Sequence, residues 1–189
     1  TRLEYPLFPD APVDRFDNII LHAGKLLDDP QLIRNSFGRD TNRDMGNVES
    51  HSVYAHLYLN GIYWGLYNPF ERPDAQFAEE YFGRSDQDYD AITRDSEPEA
   101  VDGDTKRFRE MIGLIRSGLE TQEAYEKFER YVDLDSLLDF LLINQYMAHD
   151  EHEYRAIGSR VDDPKFRFFV WDLSEGGMDS VHASTNLEP

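Results

Sequence analysis

The sequence predicts an α+β fold with a β-rich N-terminal part carrying one long helix and a mostly helical C-terminal part. Three observations predict it. An Asn60-Gly61 pair separates two β-rich runs, apolar residues recur at helical spacing from Thr105 to Met147, and 40% hydrophobic with 13% aromatic residues supply a packed core. At 189 residues the chain fits one ordinary domain or part of a larger fold. The expected organisation is a β-rich lobe over 1–93, an acidic loop over 94–104 and a helical lobe over 105–189.

Phe16–Leu21 reads as a strand, because Ile19-Ile20-Leu21 is a compact apolar run ahead of Gly24. A helix follows. Asp29 can accept from free backbone N–H groups, Pro30 fits the first turn, and Gly46 stands where a left-handed C-terminal cap belongs. In Ser52–Tyr67, Val53, Ala55, Leu57 and Leu59 alternate with Ser52, Tyr54, His56 and Tyr58 before Asn60-Gly61, which is a hairpin pattern. Gly65 in its second strand marks either a bulge or a close approach by a ligand or another backbone. Pro69 and Pro73 are expected to interrupt the sheet, and a short helix covers Asp74–Tyr81 with Phe77 and Tyr81 on one face.

Beyond the acidic loop, whose Asp102-Gly103-Asp104 reads as a solvated turn, Phe108, Met111, Ile112 and Ile115 form one helical stripe. Ala124, Tyr125, Phe128 and Tyr131 form another. Leu134–Met147 is apolar over most of its circumference and reads as a largely buried helix. Phe166–Trp171 reads as a strand after the turn at Asp162-Asp163-Pro164.

Composition excludes several functions. Lys and Arg total 19 against 38 Asp and Glu, a formal charge of −19, and such a surface repels nucleic-acid phosphates and anionic lipid. No apolar run approaches the roughly 20 residues that span a bilayer. The start, Thr1-Arg2-Leu3-Glu4-Tyr5-Pro6, lacks a leader pattern and reads as the interior of a longer protein. Without cysteine there are no disulfides, thiolate metal sites or cysteine nucleophiles.

Walker loops, Gly-x-Ser-x-Gly elbows and His-Glu-x-x-His motifs are absent, so the candidate chemistry is that of carboxylates. His149-Asp150-Glu151-His152-Glu153 leaves the end of the apolar helix, and Asp172 leaves the end of the Phe166–Trp171 strand. Acids at two rigid element ends can converge on one hard cation, because magnesium and calcium take oxygen ligands. The plainer alternative has Asp150 satisfying nearby backbone groups and Asp172 opening a turn. His149 and His152 also permit a transition-metal site.

The hairpin His56-Leu57-Tyr58-Leu59-Asn60-Gly61-Ile62-Tyr63-Trp64-Gly65-Leu66-Tyr67, followed by Glu71-Arg72-Pro73-Asp74, resembles the CotH kinase family. Supporting matches are Tyr5-Pro6-Leu7-Phe8, Arg39-Asp40, Asp44-Met45-Gly46 and Phe168-Phe169-Val170-Trp171-Asp172. The resemblance implies a protein-kinase-like fold, truncated here at both ends, that transfers the ATP γ-phosphate to protein Ser/Thr hydroxyls with Mg2+ or Mn2+. It implies a secreted, cell-surface or spore-coat location. It also implies that Asp150 is the catalytic-loop acid, that Asp172 binds metal, and that Glu71 sits near the nucleotide where two lobes join.

The chain departs from the family pattern at two places. The metal-holding Asn four or five residues after the catalytic Asp is replaced by Tyr154 and Arg155, with Glu153 taking its place if the loop is shorter. The acid two residues beyond the metal-binding Asp is replaced by Ser174, next to Glu175. Lys25 is a candidate phosphate cation or a plain surface lysine, and Arg34 is a candidate of the same kind or a partner of nearby acids. Two further readings follow: a non-catalytic pseudokinase or binding module, and an unrelated metalloprotein built on the His149–Glu153 cluster. The acceptor protein and the oligomeric state are not readable from the sequence.

Overall fold

The computed structural model describes residues 2–23, 33–94, 97–149, 153–161 and 163–173. Its first half runs β1 (Leu3–Glu4), β2 (Arg15–Phe16), β3 (Ile19–His22), α1 (Arg34–Asp44), β4 (Ala55–Leu59), β5 (Ile62–Glu71) and α2 (Ala75–Phe82). Its second half runs β6 (Tyr89–Arg94), β7 (Pro98–Asp102), α3 (Lys106–Ser117), α4 (Gln122–Glu129), α5 (Leu134–Tyr146), β8 (Tyr154–Ser159) and β9 (Phe166–Val170). This is the mixed α+β architecture expected. The strands form a β1-β2 pair, a three-stranded sheet in the order β3-β5-β4 and a four-stranded sheet in the order β7-β6-β8-β9, all antiparallel.

The β4–β5 hairpin closes through Asn60 at φ 51° and Gly61 at φ 79°, the pair of positive values that a tight two-residue turn requires. Register moves from Leu57↔Gly65 to Tyr58↔Tyr63, which leaves Trp64 as an extra residue. Gly65, at φ 128°, therefore serves a bulge. Tyr58, Ile62, Tyr63, Trp64 and Leu66 are exposed at this end of the hairpin.

Four sequence expectations need correction. The run Phe16–Leu21 is two strands, because Phe16 pairs with Leu3 whereas Ile19 pairs with Glu71 in another sheet. Pro69 does not interrupt β5: it pairs opposite Leu21, and its carbonyl still accepts from Val53 N at 3.0 Å although the ring nitrogen cannot donate. The acidic stretch is not all loop, since Pro98–Asp102 lines the edge of β6, where proline and exposed charge are tolerated. Helix α5 is buried on one face only. Phe140, Ile143 and Asn144 point inward over β9, while Leu138, Leu141, Leu142 and Tyr146 stay exposed.

The long helix of the first half begins at Arg34 among the described residues, and Asp29, Pro30 and Lys25 lie outside them. It ends as expected: Gly46, at φ 100°, donates to Arg43 O at 2.8 Å. Asp74 caps α2 by accepting from Phe77 N at 3.0 Å, and Phe77 stacks on Tyr81 at 4.1 Å between ring centroids. Two cores flank the four-stranded sheet. One packs Phe108, Met111, Phe128, Phe140 and Ile143 against Ala156, Phe166 and Phe168, and the other packs Phe77 and Ala78 against Ala91, Ile157 and Phe169. Among the described residues no helix is long and apolar enough to cross a membrane.

Candidate active site

Successive β9 residues face opposite ways, so Phe168 and Val170 join the first core while Phe169 joins the second. The strand ends at Val170, and Asp172 then takes a left-handed φ of 39°. Side chains from outside hold this turn on both sides. Val170 N donates to Glu49 Oε2 at 2.8 Å, and Leu173 N donates to Asn35 Oδ1 at 2.6 Å. Gly38 on α1 lies so close to Leu173 and Val170 that a Cβ there would run into the Leu173 side chain. Helix α1 thus fixes where the Trp171-Asp172 step sits.

Glu49 is fully buried and also accepts from Asn42 Nδ2 at 2.8 Å and Ser50 N at 2.9 Å. Burial pushes its carboxyl up to about 6, against the pull of these donors and of the Arg39 charge. Burial lowers the Arg39 guanidinium to about 10.

Glu71, the residue expected near a nucleotide, is only 2% exposed. Its carboxylate accepts from His51 N at 2.8 Å, His51 Nδ1 at 3.0 Å and Tyr81 OH at 2.8 Å. Burial and the Glu71 charge raise the Tyr81 pKa. The carboxylate therefore ties the end of β5 to α2 and to the segment before β4, and it is already satisfied within the protein.

The same region carries a file of cations and rings. The Arg39 guanidinium lies 3.8 Å over the Phe70 ring, Phe70 meets Trp171 edge to face at 5.8 Å, and the Arg155 guanidinium lies 4.2 Å over Trp171. Arg155 pairs with Phe169 across β8 and β9, so it is a strand residue beside the Trp171-Asp172 step. Burial lowers its pKa to about 10, and the Arg72 charge adds to that effect. Tyr154 faces the opposite way, into the ring cluster of Phe108, Phe140 and Phe168.

Asp150 lies outside the described residues, as do Glu151, His152, Ser174 and Glu175. His149 is buried, and its Nδ1 donates to Asn144 Oδ1 at 2.9 Å, which ties it to the end of α5. Asp172 and Glu153 offer hard oxygen atoms of the kind magnesium takes. Among the described residues, no three His, Asp or Glu side chains gather as a metal site. Arg39, Asn35 and Glu49 were not read as a site in the sequence. Arg39 stood in a family motif, but its placement over Phe70 had no local signal.

The CotH kinase protein family profile matches residues 3–188. The chain belongs to the CotH kinase family. No curated protein matches it. CotH membership supports a kinase-like fold.

Proposed function

We propose that this CotH-family domain performs kinase-type phosphoryl transfer from ATP to Ser/Thr hydroxyls of a protein. In this reading residues 1–93 and 105–189 form two lobes and the substrate meets the nucleotide between them. Asp150 accepts the proton of the attacking hydroxyl as its oxygen bonds to the γ-phosphorus and the bond to the ADP oxygen breaks. Asp172 and Glu153 would hold Mg2+ or Mn2+, which supplies charge neutralisation at the phosphates when bound. Glu71 braces the nucleotide edge of the cleft. A secreted, cell-surface or spore-coat location belongs to the same proposal.

The observation that carries it is the double clamp of Glu49 and Asn35 on the Trp171-Asp172 step, because phosphoryl transfer depends on holding charged groups in fixed positions. In calorimetry, ATP with magnesium binds the protein, and Asp172→Asn lowers the affinity at least tenfold. Absence of ATP binding by the wild type in magnesium or manganese overturns the reading.

Arg155 favours a second reading, a pseudokinase, because a fixed positive charge stacked on Trp171 beside Asp172 opposes a divalent cation. It predicts nucleotide binding with no labelled phosphate passed to the chain itself or to casein-like acceptors. Incorporation of label excludes it.

A further inference from the structure

Three buried guanidinium N–H groups, beside the end of β5 and at the start of β8, have no hydrogen-bond partner: Arg72 Nε, Arg155 Nε and Arg155 Nη1. Unpaired buried donors are costly, and charged donors more so than neutral ones. Arg72 and Arg155 are close enough to act on each other electrostatically, which sets two partly dehydrated cations in mutual repulsion. Glu153 and Asp74 also act on Arg155 electrostatically, yet its Nε and Nη1 find no acceptor. The Asp74 carboxylate already accepts from Phe77 N at 3.0 Å and Asn18 Nδ2 at 2.8 Å. Trp171, itself only partly buried, lies against the Arg155 guanidinium, whose carbon is 4.2 Å from the ring centroid.

We propose that Arg155 and Arg72 form an oxyanion site of the phosphate class, walled by Trp171, in which guanidinium N–H groups hold the ligand directly and no divalent cation is needed. A single oxyanion shared by the two cations relieves their repulsion and takes the unpaired donors, and guanidinium is the side-chain group best matched to phosphate oxygens. General attraction cannot supply such binding. A chain of net charge −19 repels anions, so any phosphate that binds does so at a local site. The inference concerns the cleft of the proposed phosphotransfer but does not need turnover there. It assigns Arg155 a role that its departure from the family pattern otherwise leaves unexplained.

The test is thermal unfolding and calorimetry of the whole chain in EDTA, with inorganic pyrophosphate and with ADP as separate probes. Pyrophosphate at a hundred times its dissociation constant raises the Tm by about 5–10 °C. Arg155→Gln and Arg72→Gln weaken binding at least tenfold, Arg155→Lys weakens it less, and Arg116→Gln, an exposed charge loss on α3, leaves it unchanged. Equal affinity for both probes identifies a site that reads the oxyanion alone. Tighter ADP binding that still depends on Arg155 identifies a nucleotide as the source.

No Tm rise for the wild type in EDTA overturns the proposal, as does binding that appears only when magnesium is added. Binding that survives both Arg155→Gln and Arg72→Gln also overturns it. Should Arg155→Gln fail to fold, Arg72→Gln and the wild-type result in EDTA decide. Arginine-dependent binding without phosphate transfer in magnesium and ATP removes the kinase reading and leaves this one standing.

Discussion

Glu49 gives the clearest pH signature at the level of single residues, since it is fully buried while its carboxyl sits at about 6 rather than the ordinary 4.5. Between these two values the unfolded chain has released the proton and the native state still holds it. Stability therefore falls as pH rises through that window. The difference corresponds to about 2 kcal/mol. Glu49→Gln removes this contribution, so urea unfolding from about pH 4 to 7 should show the wild type losing about 2 kcal/mol relative to the variant. Parallel curves for the two proteins would count against the buried ionisable role. Glu49 was illegible in the sequence because the strand amide that it accepts from, Val170 N, lies 121 residues away. Asp172 was legible because it follows a strand that announces itself by its aromatics. Glu71 was legible in position, but its partners His51 and Tyr81 were not.

Helix α1 matters as an element because it reaches the Asp172 turn with a hydrogen bond and with close packing. Asn35→Ala leaves Leu173 N without its acceptor in a buried setting, and the expected cost is about 1–3 kcal/mol in denaturant unfolding. An unchanged unfolding midpoint would mean that the turn is held by packing at Gly38 and Leu173 alone. The elements that sequence reading found are those with a local signature: the Asn60-Gly61 hairpin, the Asp74-capped helix and the apolar stripe of α3. Strands β6 and β8 were missed because they are central strands buried on both faces, so Tyr89-Asp90-Ala91-Ile92 and Tyr154-Arg155-Ala156-Ile157 show no alternation of apolar with polar residues. Asp90 carries no local mark of burial in the sequence. It is 1% exposed and is matched by Arg160 at 2.6 Å, a partner that only the folded sheet supplies. The exposed face of α5 misled the reading in the other direction, since a stripe of leucines carries no mark of which side is covered.

For the whole molecule, the four-stranded sheet joins the two cores, with β6 and β8 in its middle. Native-state hydrogen exchange should be slow at amides of β6 and β8 and much faster at the tip of the β4–β5 hairpin, where the neighbouring strands run out. Faster exchange in β8 than in the hairpin tip would show that the cores unfold separately. The hairpin tip has another consequence, because Tyr58, Ile62, Tyr63 and Trp64 put oily surface at the end of a strand pair while the chain as a whole carries −19. Mutual repulsion keeps two copies apart in dilute buffer, where the screening length is about 10 Å at 0.1 M ionic strength, and fails near 1 M, where it is about 3 Å. The protein should therefore behave opposite to one held together by ion pairs: light scattering grows as sodium chloride is added, and Trp64→Lys suppresses that growth.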